Sequence, residues 1–329
     1  MKKILIVEDI LSIRTAIMDL LNKDYIIYGT GNYNEAVSIL ENEEIHLLIT
    51  DIKMPGKSGL ELIQFVKVKY PKLLYSLITA YNINDYIHFA KENQVWNIIP
   101  KYSFLDMKFI SVMVEKLLTN NIFGVEKYFD TSLKIFRNNK FSKFKVAKNR
   151  ELIFETIRSA EERSSLCNHI GKFFSKNGAP KKINQVIEEL TANAMIRAPL
   201  NEKGQHKFQI ELESKDIIIS DENIVLTEKD YFEIGYGVFD QTCILVTSDQ
   251  FGTLKKEEIL NRLDRHITID KNTNLPVGLT DTHGRGLYIC REISDSMIFN
   301  IQKNVRTEVI VLISNIEAKP YKTLSIYEI

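Results

Sequence analysis

The sequence predicts a doubly wound α/β domain built on a parallel five-stranded sheet, followed by an α+β sandwich. Three observations carry this. Over the first 120 residues, short apolar runs of β type alternate with amphipathic helical patterns, the repeat that a parallel sheet requires. From residue 151 the alternation gives way to helical segments and then to strands, which is helices on one face of a mostly antiparallel sheet. A length of 329 residues is long for one domain and natural for two, each able to bury its own core.

In the first domain the strand-like runs fall near 3–7, 25–28, 46–50, 74–78 and 95–99. Helical patterns follow near 11–22, 33–41, 58–70, 83–92 and 104–119. Residues 121–150 read as a basic connector, with seven Lys or Arg and no acid between 131 and 150. Such a segment can bind nucleic acid, but a solvated connector or a docking surface for an acidic patch is the commoner outcome, and nucleic acid is not the expected partner. Next come helical segments at about 151–176 and 180–198, then strand-like runs near 206–220, 231–238 and 242–248. A helix near 254–265, a turn-rich span at 266–283, a helix near 284–296 and strands near 297–303 and 307–314 close the second domain at 316. Residues 317–329 read as a C-terminal tail.

Composition narrows the function. The 43 basic and 43 acidic residues balance, so no net field draws the chain to nucleic acid or to an anionic membrane. Cys167, Cys243 and Cys290 are far apart and lack metal-ligand spacing, which suits reduced thiols in a cytoplasmic protein. No signal peptide and no run of eighteen apolar residues is evident, so no membrane partner is expected.

Charge at strand ends is the first functional signal. The stretch LLITDIKMPGKSGLELI runs from apolar residues into Asp51 and then into a Pro-Gly turn, and the opening KKILIVEDI ends on Glu8 and Asp9. An Asp at a strand end can simply cap a turn. In an open parallel sheet, however, neighbouring strands end at one crevice, so these three carboxylates meet there. Crowded carboxylates repel and favour a hard cation such as Mg²⁺. SLITAY adds the hydroxyl of Thr79 and VWNIIPKY the ammonium of Lys101, which together suit a phosphoryl group.

In these motifs residues 1–120 resemble the receiver domain of two-component response regulators. The resemblance implies a flavodoxin-like fold, Asp51 as phosphoacceptor, Glu8 and Asp9 as metal-binding acids, Thr79 as switch hydroxyl and Lys101 as phosphate contact. It also implies a sensor histidine kinase as phosphodonor. Ile98 stands at the switch position where an aromatic residue is usual, and Tyr102 follows the lysine where proline is usual, so the readout is expected to differ from an aromatic flip.

The second domain carries three short motifs. In VIEELTANAMIRAP, Glu189 and Asn193 lie four apart on one helix face, where an amide oxygen can ligate Mg²⁺ and a carboxylate can hold a water or take a proton. An exposed polar pair is the plainer reading. In ILVTSDQFGTL, Asp249 ends a strand in a turn, where it can cap that turn or accept from an exocyclic amine such as that of adenine. In THGRGLYICREI, Gly284 and Gly286 precede a helix whose first N–H groups can face phosphate oxygens.

Their order resembles the N, G1 and G2 boxes of the GHKL, or histidine-kinase-like, ATPases. This implies a Bergerat-type sandwich over 151–316 that binds ATP or ADP through Asn193, Asp249, Gly252, Gly284, Gly286 and Thr307. Asn193 would hold the nucleotide's Mg²⁺ and Glu189 would be the candidate catalytic residue. His169 lacks the acid and proline of a phosphorylated histidine and reads as a structural helix residue, so the domain is more similar to the anti-sigma-factor serine kinases. Two departures stand out: Phe251 occupies a glycine position of the G1 box, and Ile196 a lysine position, with Arg197 next.

The reading is therefore a cytoplasmic response regulator whose phosphorylation at Asp51 controls an ATP-binding output domain. That domain would phosphorylate or sequester a protein such as a sigma factor or its antagonist, and the reading is compatible with a homodimer. Two alternatives stand beside it: a non-catalytic sequestering module, and a degenerate histidine-kinase-like domain that docks to a sensor kinase and tunes it.

Overall fold

The computed structural model describes residues 1–80, 83–101, 106–138, 144–208, 224, 226–270, 274–280, 285–315 and 322–329. The chain divides into two compact units, Met1–Ile122 with Tyr321–Tyr327, and Phe123–Pro320 with Glu328–Ile329.

The first unit is a parallel sheet of β1 (Lys3–Val7), β2 (Ile26–Thr30), β3 (Leu47–Asp51), β4 (Leu74–Thr79) and β5 (Asn97–Pro100), in the order β2-β1-β3-β4-β5. Five helices connect it: α1 (Leu11–Leu21), α2 (Tyr33–Asn42), α3 (Gly59–Lys69), α4 (Ile87–Asn93, after a 3₁₀ turn at Ile83–Tyr86) and α5 (Met107–Thr119). This is the flavodoxin-like α/β arrangement. β3 is buried along its whole length, as a strand covered on both faces must be. Leu5, Val7 and Leu48 pack with Ala36 and Leu40 of α2 and with Leu62 and Val66 of α3. Each fully buried Leu contributes roughly 1.5–3 kcal/mol, and Leu48→Ala would cost about 2–5 kcal/mol.

Local chemistry fixes where helices start. Asn32 caps α2 by accepting from Glu35 N, and Asp106 caps α5 by accepting from Phe109 N. Ser58 and Glu61 form a reciprocal capping box at α3. That start sits directly on β3, because a Cβ at Gly59 would come within 1.8 Å of Asp51 O.

Within the segment read as a tail, Thr323–Glu328 form a strand, β12, that pairs antiparallel with β5. Its alternation is too short to stand out in the sequence, and the open edge of β5 gives it backbone partners.

The strands of the second unit are β6 (Lys134–Asn138), β7 (Glu151–Ile157), β8 (Phe232–Phe239), β9 (Thr242–Asp249), β10 (Ser296–Gln302) and β11 (Arg306–Ser314). They form a sheet of order β6-β7-β8-β9-β11-β10, antiparallel except for β6–β7. The helices are α6 (Ala160–Lys176), α7 (Ile183–Ala192), α8 (Lys256–Ile267) and α9 (Arg285–Ile293). α7 lies against both α6 and α9. Arg163 of α6, buried, donates to Thr191 Oγ1 and Glu188 O of α7 and locks the first of these contacts.

Two segments of the second unit also differ from expectation. Residues 151–157 form β7 rather than the first turns of a helix, because ELIFETI is rich in β-branched and aromatic residues and pairs on one side with β8 and on the other with β6. Residues 134–138, inside the span read as a connector, form the edge strand β6. Arg137 there bridges Glu233 at 2.9 Å, and Arg150 bridges Asp240 at 2.9 Å, so two of the connector's cations are held by acids of the same unit. Of the run expected at 206–220, residues 209–220 lie outside the described residues.

His169 is tied down within this unit: its ring stacks on Phe144, meets the edge of Tyr236, and its Nε2 pairs with Lys145 O at 3.2 Å. The three cysteines are buried and form no disulfide, and burial pushes the Cys243 thiol up to about 11. Among the described residues no helix is long and apolar enough to cross a membrane.

Candidate functional site

At the carboxyl edge of the first unit's sheet, strand register does the positioning. Val7 of β1 pairs with Thr50 of β3, which brings Glu8 and Asp9, just past β1, level with Asp51. Thr79 ends β4 opposite Pro100, and Lys101 follows with its N–H on Thr79 O at 2.5 Å. The Lys101 ammonium then reaches Glu8 Oε2 at 2.6 Å and Asp51 Oδ2 at 2.8 Å. Asp51 Oδ1 accepts from Ile52 N at 2.7 Å.

Glu8, Asp51, Thr79 and Lys101 are buried, while Asp9 faces outward. Burial pushes the Glu8 carboxyl above its ordinary value; Lys101 pulls it back and Asp51 adds to the rise. The oxygens of Glu8, Asp9 and Asp51 lie within 4.8 Å of one another. One ammonium among three carboxylates leaves excess negative charge, so these residues fit a divalent cation with oxygen ligands. Ile98 is buried in β5 and pairs with Leu77 on one side and Leu324 on the other.

In the second unit a cavity of about 280 Å³ is lined by Asn193, Arg197, His206, Asp249, Arg262 and Thr307, among others. Asn193 opens a π-helical turn, Asn193–Arg197, closed by the Ala198 N–H on Asn193 O at 3.0 Å. The wider turn adds one residue. It thereby brings Arg197, the fourth residue on, nearer the place that the third holds in a regular helix. Burial lowers the Arg197 guanidinium pKa and the nearby Arg262 lowers it further, while Glu189 and Glu258 oppose them.

Asp249 ends β9 directly opposite Thr307 of β11. Its Oδ1 caps the turn, accepting from Phe251 N at 2.9 Å and Gly252 N at 3.2 Å. Burial raises its carboxyl to about 6, with those two N–H groups and Thr307 acting against the rise. The turn needs glycine at 252: φ is +58°, and a Cβ would sit 2.0 Å from Gln302 O. A buried nitrogen of the cavity lining, His206 Nδ1, has no hydrogen-bond partner among the described residues.

The sequence motifs are brought together in part. Asn193, Asp249 and Thr307 share the cavity. Gly252 shapes the turn that Asp249 caps. Glu189 is not among the lining residues; its carboxylate lies against Gly286 of α9, where a Cβ would come within 1.7 Å of Oε2. Gly284 lies outside the described residues. His206 and Arg262 lie outside the sequence motifs: His206 opens the run that reads as strand-like, and Arg262, on α8, is bonded to Glu258 four residues before it.

The family model of the response regulator receiver domain matches residues 4–107. Sporulation initiation phosphotransferase F of Bacillus subtilis (strain 168) is 34% identical over 92 residues, 28% of this chain and 74% of that protein. Response regulator protein FleR of Pseudomonas aeruginosa is 34% identical over 84 residues, 25% of this chain but only 18% of its own length. Among solved structures, response regulator protein TrrA of Thermotoga maritima, in complex with Mg²⁺ and BeF, is 29% identical, with 36% of this chain and 99% of that chain covered at a TM-score of 0.32. The chain belongs to the response regulator receiver family, through its N-terminal domain.

Proposed function

We propose that this response regulator takes a phosphoryl group from a sensor histidine kinase onto Asp51, with Mg²⁺ held by Glu8, Asp9 and Asp51, and that its second unit is a GHKL-type domain binding an adenine nucleotide. The observation that carries the nucleotide reading is the convergence of Asn193, Asp249 and Thr307, three motif residues far apart in sequence, on one cavity. Asp249 supplies an acceptor for an exocyclic amine, and Thr307 Oγ1 a second polar contact. Arg197 and Arg262 supply positive charge for phosphates, and Asn193 an amide oxygen for the nucleotide's Mg²⁺.

The output is action on a protein partner in the cytoplasm, in the manner of the anti-sigma-factor serine kinases. A non-catalytic, sequestering form of this output is favoured by one observation: Glu189, the candidate base, is packed against Gly286 rather than lining the cavity. Calorimetric titration with Mg²⁺-ATP, with and without beryllofluoride, tests the reading. Binding in the micromolar to millimolar range that responds to beryllofluoride supports it, and absence of ATP and ADP binding at millimolar concentration overturns the nucleotide half.

A further inference from the structure

The open edge of β5 is filled by the last strand of the same chain. β12 pairs Leu324 with Ile98 and Ser325 with Asn97, and Ile326 N donates to Trp96 O at 2.9 Å. Five of its six residues are buried. Lys116 of α5, itself fully buried, holds its ammonium 4.9 Å from the centre of the Tyr327 ring. A desolvated ammonium over an aromatic face is among the stronger contacts of this kind. The surface made by β5 and α5 is thus a docking site for an apolar strand ending in an aromatic ring. Its occupant reaches it only after the chain has run through residues 123–320. In sequence terms β12 is a tethered ligand, held at high effective concentration but covalently remote from the strand it pairs with.

β5 is also the strand that delivers Lys101. Ile98, the partner of Leu324, stands three residues before it, roughly 10 Å along an extended strand. In phosphoryl transfer a carboxylate oxygen of Asp51 would bond to phosphorus as the donor's histidine N–P bond breaks, leaving an acyl phosphate that is larger and more negative than the carboxylate Lys101 contacts. Lys101 would then have to redistribute its bonds between Glu8 and Asp51, and the end of β5 would shift with it. Two-stranded pairing tolerates little displacement before its hydrogen bonds are lost.

We propose that docking of β12 on the β5–α5 surface is linked to the phosphorylation state of Asp51, so that the C-terminal strand is the receiver's own in-cis ligand and reads the switch at Ile98. Linkage is reciprocal: what phosphorylation does to the strand, the strand does to the affinity for the phosphoryl group. The inference rests on the receiver domain and is independent of whether the second unit binds nucleotide.

The chain carries its own probe, because Trp96 is the one tryptophan and its carbonyl accepts the bond from β12. The full-length protein is titrated with beryllofluoride in Mg²⁺ while Trp96 emission is followed. Ile326→Pro, which removes the donor to Trp96 O, and Tyr327→Leu, which keeps the ladder and removes the ring beside Lys116, are run in parallel. The parent emission is expected to move on titration. Both variants are expected to start from a shifted emission and to change the half-saturating beryllofluoride concentration about five-fold or more, in the same direction. Tyr327→Leu keeps the test open if the proline variant does not fold. An unresponsive parent, or a folded variant that titrates as the parent does, overturns the proposal. Emission that depends on protein concentration overturns the in-cis assignment and gives the strand to a second copy.

Discussion

The ammonium of Lys101 lies 2.8 Å from Asp51 Oδ2 and is shared with Glu8, all three groups being buried. Removing the cation leaves two acids facing each other out of water, which costs far more than losing a surface pair. Lys101→Met is expected to lose about 3–5 kcal/mol at neutral pH in urea denaturation. The sign with pH follows from Glu8, whose carboxyl is already raised in the fold. A raised carboxyl destabilises above its unfolded value and is harmless once protonated, so the deficit should shrink as the pH is lowered into the range where Glu8 takes up its proton. A pH-independent deficit would mean that lost packing, not charge, dominates.

Asp51, the last residue of β3, is buried and in contact with Lys101. Asp51→Asn should abolish labelling by acetyl phosphate. Asp9→Asn should weaken Mg²⁺ binding and labelling together, because the cation neutralises the incoming charge. Mass spectrometry of the intact protein reads both; full labelling of the Asp51→Asn variant would remove the assignment.

If the cavity of the second unit takes an adenine nucleotide as proposed, Asp249 with its carboxyl at about 6 makes a pH prediction. The carboxylate is a stronger acceptor for an amine than the protonated acid, so adenine-nucleotide affinity should be constant above about pH 7. It should weaken as the pH falls through about 6. Asp249→Asn should flatten this profile and cost adenine nucleotides more than guanine nucleotides. Equal losses for both bases would reduce Asp249 to its role in the turn.

Asn193 lines the cavity and Glu189 does not, so their substitutions should separate. Asn193→Ala is expected to weaken ATP binding in Mg²⁺ while leaving metal-free binding nearly unchanged. If Glu189 acts as a base, Glu189→Gln keeps affinity and lowers phosphate transfer by on the order of 10²- to 10⁴-fold, measured with radiolabelled ATP. If the domain only sequesters its partner, Glu189→Gln regulates as the parent does.

Gly252 takes φ +58° with no room for a Cβ beside Gln302 O and Arg306 N. Gly252→Ala should destabilise the second unit by more than about 1 kcal/mol, because the backbone strain adds to a clash with main chain that cannot rotate away. A thermal melt unchanged from the parent would show that the turn relaxes.

What the sequence determined by itself is local. The alternation of short apolar runs with helical patterns placed five strands and five helices of the first domain within a few residues, because each pattern repeats inside one element and needs no distant partner. The acids at the ends of β1 and β3 were legible for the same reason: a charge that ends an apolar run is visible without knowing what it faces. Tertiary structure decided whatever depends on a partner remote in the chain. ELIFETI is a strand because β6 and β8 flank it, and TLSIYE is a strand because β5 has a free edge. The same holds for the cavity. His206 and Arg262 reach it only through the packing of separate elements, and Glu189, on the helix that leads to Asn193, turns instead toward Gly286, since a side chain's destination is set by the neighbours that leave it space.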